Sequence, residues 1–186
     1  MSFEFLQKAF PCYLKNDVES AFSLITVKNE IENYQTFSVN LRNENLQILY
    51  RIYFDKPSDF FLNSTKSLIL NCLFTRHHDG FLREKCLKKI IKSNEYWISP
   101  FVFQLLGEYV IQILDIVEQN LSPILVKNLS NFAAENPEFY NLTKSRVISY
   151  WNEYYRNTFP KIEDYVGYRI LSKIENYLSQ SVSQTL

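Results

Sequence analysis

The sequence predicts a mainly α-helical protein that carries one β-hairpin. Three observations predict it. Apolar residues recur at three- and four-residue intervals through most of the chain after residue 63. Proline stands at the start of successive helical segments, at Pro100, Pro123 and Pro137. Glycine is scarce: Gly80, Gly107 and Gly167 are the only three in 186 residues, which argues against an all-β fold rich in tight turns.

The elements follow in order. A short helix is expected over 3–10, stopped by Pro11. Asn16 and Asp17 are placed to cap a helix over 18–27, with Ala21, Phe22, Leu24 and Ile25 on one side. Residues 37–41 (FSVNL) alternate strictly between apolar and polar. Residues 42–45 read as a turn, and alternation resumes over 46–54. Two such runs in succession predict a β-hairpin near 36–54. The second run also fits a helix through Leu46, Leu49, Tyr50 and Tyr53, but Val39 and Leu41 match only a strand.

From residue 64 the pattern is helical. A helix over 64–74 turns inward Leu68, Ile69, Cys72 and Leu73, and a second spans 80–92. A third is expected over 99–120, apolar almost all round, and so buried by neighbours on several sides. Further helices are expected from 123 to 134, from 137 to 158 with a break near Asn141, and over 164–177, before a polar, frayed tail. Short loops between them suggest antiparallel helix pairs. The chain thus divides into an N-terminal segment, 1–63, and a helical domain, 64–186, that forms one compact unit.

Composition bounds the function classes. Twenty basic residues balance twenty acidic ones, which argues against a non-specific grip on nucleic acid. Cys12, Cys72 and Cys86 are odd in number and form no C-x-x-C pair, so reduced thiols and a cytoplasmic location are expected. The start, MSFEFLQKAF, lacks a basic region followed by an apolar run, so no secretory signal is expected. The most apolar stretch, 98–117, contains Glu108 and Asp115, which would be costly within a bilayer, so no membrane span is expected. No P-loop, dinucleotide fingerprint, nucleophile elbow or zinc pattern occurs, and no cofactor is expected.

Four groups of residues stand out. Glu108, in the apolar run, needs a charged partner if buried; Arg76, Arg83 (with Asp79) and Arg146 are the candidates for a buried ion pair, and a catalytic carboxylate is the other reading. His77 and His78 stand beside Asp79 in a helix–helix connection, either as a solvated turn or as a base or metal ligand. Lys85, Lys88, Lys89 and Lys92 form a basic stripe, either a solvated face or a contact for an acidic partner. In 150–156 (YWNEYYR) the aromatics cannot all face one side of a helix. Val147, Ile148, Trp151 and Tyr155 are expected inward. Tyr150, Tyr154 and Arg156, joined by Tyr165 and Tyr168, form either a protein interface or an extension of the core.

The string DGFLREKCLKKI, residues 79–90, resembles the start of the second helix of a HEAT-type repeat. It has an aspartate, an apolar residue three on, an arginine after it, then a small and an apolar residue. The resemblance covers about a dozen residues of the 186, and no later helix pair restores the Asp–Arg pattern. It implies a short, irregular HEAT-like stack in which the Asp and Arg link neighbouring repeats, in a family that mainly binds proteins. The stretches RHHDGFLREKCL and PFVFQLLGEYVIQIL are also similar to short bacterial proteins of unassigned role. The expected function is non-enzymatic protein binding, with an immunity- or inhibitor-type protein as one version. The alternative is a small-molecule-binding protein or enzyme with a pocket near Glu108 and His77–Asp79.

Overall fold

In the computed structural model the described residues are 4–25, 35–53, 55 and 65–183. The fold is mainly helical with one two-stranded antiparallel hairpin. It forms two compact units, Met1–Ile90 and Ile91–Leu186. The hairpin therefore shares a unit with the two helices that follow it, and the division falls after residue 90 instead of at 63.

In the first unit, α1 (Glu4–Gln7) leads through a 3₁₀ turn (Cys12–Leu14) into α2 (Lys15–Phe22). Asn16 and Asp17 lie inside α2 and not at its cap. The helix ends at Phe22, so Leu24 falls out of phase and is exposed while Ile25 is buried. The expected extension to Val27 lies outside the described residues. α2 packs on α3 (Thr65–Phe74), and α3 on α4 (Gly80–Ile90).

The hairpin pairs β1 (Thr36–Leu41) with β2 (Glu44–Leu49), in the register Val39 opposite Leu46 and Leu41 opposite Glu44. Period-two alternation buries Val39, Leu41, Leu46 and Ile48 on one face. On the other, the Gln47 amide donates to Ser38 Oγ at 2.7 Å and to Asn45 Oδ1 at 2.8 Å. The turn is only two residues long, shorter than the four expected. Arg42 and Asn43 both take positive φ, 49° and 68°, which suits the twist of the flanking strands. The second strand also stops earlier than expected. The Tyr50 amide still donates to the Gln35 carbonyl, but Ile52 then pairs in parallel with His77, between the Arg76 carbonyl and the His78 amide. Phe54 lies outside the described residues.

The second unit holds α5 (Ser99–Leu106), α6 (Ile111–Gln119), α7 (Pro123–Glu135), α8 (Pro137–Tyr150) and α9 (Val166–Ser183). The single long helix expected over 99–120 is instead two, α5 and α6, broken over 107–110. α8 is not broken at Asn141; it runs to Tyr150 and continues as a π-helical turn, Trp151–Tyr155. Ser122 caps α7, its hydroxyl accepting the Leu125 amide at 3.2 Å. α9 packs against α6, α7 and α8. Phe103, Phe132 and Phe139 meet in the core, with ring centroids 5.3 to 6.1 Å apart. Truncating one of these rings to alanine would cost about 3–5 kcal/mol. Arg169 clamps α9 to α6 by a two-pronged bond to Glu118, at 2.7 and 2.6 Å. Lys144 and Tyr140 of α8 both donate to Glu175 of α9. No helix among the described residues is long and apolar enough to cross a membrane.

Two predictions follow from these local geometries. Glycine adopts positive φ freely, whereas a β-branched residue resists it. Asn43→Gly should raise stability by about 0.5 kcal/mol and Asn43→Val lower it by about 1–2 kcal/mol in urea unfolding. The Arg169 guanidinium holds the Glu118 carboxyl below its usual range, so in acid the unfolded chain binds this proton first. The contribution is present above the unfolded carboxylate value and lost as pH falls through the folded one. Since the pair is partly exposed, it amounts to about 0.5 kcal/mol. Glu118→Gln should flatten the fall in stability between about pH 5 and pH 3 by that amount.

Candidate functional site

The break between α5 and α6 and the π-helical turn after α8 bring five tyrosines together in the second unit. Gly107 opens the break: a Cβ there would lie 3.3 Å from Arg146 Cδ and 3.7 Å from Thr143 Cγ2, so the backbone runs close against α8. Tyr109 follows, 56% exposed. Its ring lies 6.0 Å from Tyr150 and 5.9 Å from Tyr154, and those two are 6.1 Å apart. Tyr154 is 59% exposed and Tyr150 half-buried. The three rings form a continuous aromatic surface.

This surface is tied down from beneath. The Tyr155 hydroxyl donates to the Tyr109 carbonyl, joining the π-helical turn to the break. Tyr155 stacks on Tyr165 at 5.2 Å with the planes 21° apart. Tyr165, grouped by sequence with either an interface or an extension of the core, is fully buried. The reason is the 3₁₀ turn Ile162–Asp164, which sets the phase of the chain before α9 begins at Val166. Gly167 makes room for the buried ring, since a Cβ there would lie 2.9 Å from Tyr165 Cε1 and 3.1 Å from Val147 Cγ1. Trp151 donates its indole N–H to the Phe159 carbonyl at 2.8 Å, fixing the segment after the turn. Exposed Arg156 lies over the Trp151 ring at 5.9 Å and donates to Asn152 Oδ1 at 3.3 Å. Val147 is buried as expected, whereas Ile148, expected inward, is 39% exposed. Tyr168 is half-buried on α9.

The electrostatics keep the two inner phenols as hydrogen-bond donors and ring faces. Burial, reinforced by Asp115 and Tyr109, holds the Tyr155 hydroxyl above the usual phenol range against an opposing backbone contact at Ile111. Burial, then Tyr155, Asp115 and Tyr150, does the same to Tyr165. Both phenols stay protonated at neutral pH.

The other groups singled out by sequence lie elsewhere. Lys85, Lys88 and Lys89 are exposed on α4, and Lys88 pairs with Glu84 at 2.6 Å. Lys92 is exposed beyond the end of α4, at the start of the second unit. Phe81, on α4 and 85% exposed, was not singled out. In the first unit, Asp79 Oδ1 accepts the Phe81 amide at 2.9 Å, and His77 Nδ1 accepts the Asp79 amide at 3.1 Å. His77 is buried and lies 4.2 Å from the exposed His78 ring, which stacks on Tyr53. Arg83 is buried and donates to the His77 and His78 carbonyls, each at 2.9 Å. Asp79 and Arg83 thus both hold the backbone of their own helix–helix connection. Glu108 is buried in the second unit, within the break and not inside a helix. Among the described residues, no group of histidine, cysteine, aspartate and glutamate side chains is placed to hold a metal ion.

No known protein family matches the chain, and neither a curated protein nor a solved structure matches it significantly.

Proposed function

We propose that the chain is a non-enzymatic protein-binding module whose contact surface is Tyr109, Tyr150 and Tyr154, together with Arg156. One observation carries this reading. Tyr109 and Tyr154 are each more than half exposed, yet the Tyr155 hydroxyl ties the backbone at Tyr109 to the π-helical turn, and Tyr155 itself stacks on buried Tyr165. Tyrosine offers a large contact area with only two side-chain torsions to freeze, so a pre-set pair loses little entropy on binding. Tyrosine and arginine are also the side chains enriched where binding energy concentrates. The HEAT-like string over 79–90 agrees with it, since that family mainly binds proteins. An immunity- or inhibitor-type protein acting in the cytoplasm is the concrete version we favour.

The alternative, a ligand or catalytic pocket near Glu108 and His77–Asp79, draws less support. His77 Nδ1 and Asp79 Oδ1 each already accept a backbone amide of their own turn.

The test compares tagged wild-type protein with a Tyr109→Ala/Tyr154→Ala variant of equal thermal stability. Each is incubated with native lysate, captured proteins are quantified by mass spectrometry, and the recovered partner is purified for calorimetry. We expect one stoichiometric protein whose Kd weakens at least about tenfold in the variant, equivalent to about 1.4 kcal/mol. No stoichiometric partner, or equal affinity for both proteins, overturns the reading.

A further inference from the structure

The first unit contains a groove that the sequence does not announce. It has a volume of about 740 Å³ and opens between the α1–α2 segment and the start of β2. That size falls within the range of sites for small organic ligands, about 300–1,000 Å³. Buried Phe10, Val18 and Leu46 give it an apolar floor. Lys8 and Lys15 stand exposed in its wall, and among the described residues neither forms an ion pair.

The one carboxylate in the wall is already engaged. Glu44 accepts the Cys12 backbone amide at 2.7 Å, and the same carboxylate holds the Cys12 thiol above its usual range. Glu44 keeps its negative charge but is bonded to Cys12, and against it Lys8 and Lys15 leave the wall positive. A single engaged carboxylate is also a poor site for a metal cation, which needs several oxygen or nitrogen ligands.

From this combination we infer that the groove binds a small amphipathic anion, an apolar body carrying one carboxylate or phosphate headgroup. The apolar body covers Phe10, Val18 and Leu46. The headgroup lies against Lys8 and Lys15, whose two ammonium groups attract it by charge-assisted hydrogen bonds. This site is separate from the tyrosine surface and does not depend on it.

Cys12 supplies a direct readout. It is the one exposed cysteine, since Cys72 and Cys86 are buried. Burial also pushes the Cys72 thiol well above its usual range. The rate of Cys12 alkylation by N-ethylmaleimide on the full folded chain therefore reports access to the groove. The probes are decanoate, decyl phosphate and, as the uncharged control, decanol, each below its aggregation limit. We expect decanoate or decyl phosphate to slow alkylation saturably by about tenfold and decanol to have little effect; which anion protects better identifies the headgroup. In Lys8→Glu/Lys15→Glu, protection, taken as the ratio of rates with and without probe, should fall to near one. Because both lysines are exposed, folding should survive, and a matching melting curve checks that it does. Absence of protection by either anion overturns the inference, as does equal protection by decanol or undiminished protection in the variant.

Discussion

The hydrogen bond from the Tyr155 hydroxyl to the Tyr109 carbonyl is the contact on which the candidate surface depends. In an uninterrupted helix that carbonyl would take the amide of Ile113. Here the Ile113 amide turns to Val110 instead, at 3.1 Å, so the Tyr109 carbonyl needs a partner from outside its own helix. The Tyr155 hydroxyl supplies that partner at the surface, where such a bond contributes about 0.5–1.5 kcal/mol net. The break and the π-helical turn are thus two irregularities that answer each other. One frees an acceptor and the other delivers the donor. π-helical turns often mark functional positions, and this one aims Tyr154 outward while Tyr155 reaches inward.

The same economy of polar groups recurs in the first unit. The turn between α3 and α4 is held by Asp79, His77 and Arg83, each bonded to nearby backbone. The tyrosine surface differs: its outer rings are free of such duties, and only the inner ones carry load. The groove differs in the same way, since among the described residues Lys8 and Lys15 form no ion pair while Glu44 is engaged.

Much of the fold was legible because its signals are local. Prolines at 100, 123 and 137 do start or lie at the start of helices, and alternation over 37–41 does mark a strand. What failed was whatever depends on distant partners. Gly107 inside an apolar run reads as a tolerated interruption; only the structure shows that a side chain there would crowd Arg146 and Thr143. The hairpin turn lacks glycine, so four residues looked like turn where two suffice. Tyr150 and Tyr154 were legible as a shared face, but Tyr109 was not, because it lies more than forty residues away in the chain. Whether Tyr165 faced the surface or the core stayed open in the sequence because a short 3₁₀ turn sets the phase before α9. The groove joins Cys12 to Glu44, a contact no periodicity could reveal.

The central claim is that one hydroxyl couples the break to the π-helical turn, and Tyr155→Phe removes that hydroxyl alone. Hydrogen–deuterium exchange read by mass spectrometry tests it peptide by peptide. If the claim holds, peptides covering 107–113 and 150–159 exchange faster in the variant, those from α7 and α9 keep their rates, and global stability falls by about 1 kcal/mol. Unchanged exchange over 107–113, or a uniform rise across the whole second unit, would contradict it.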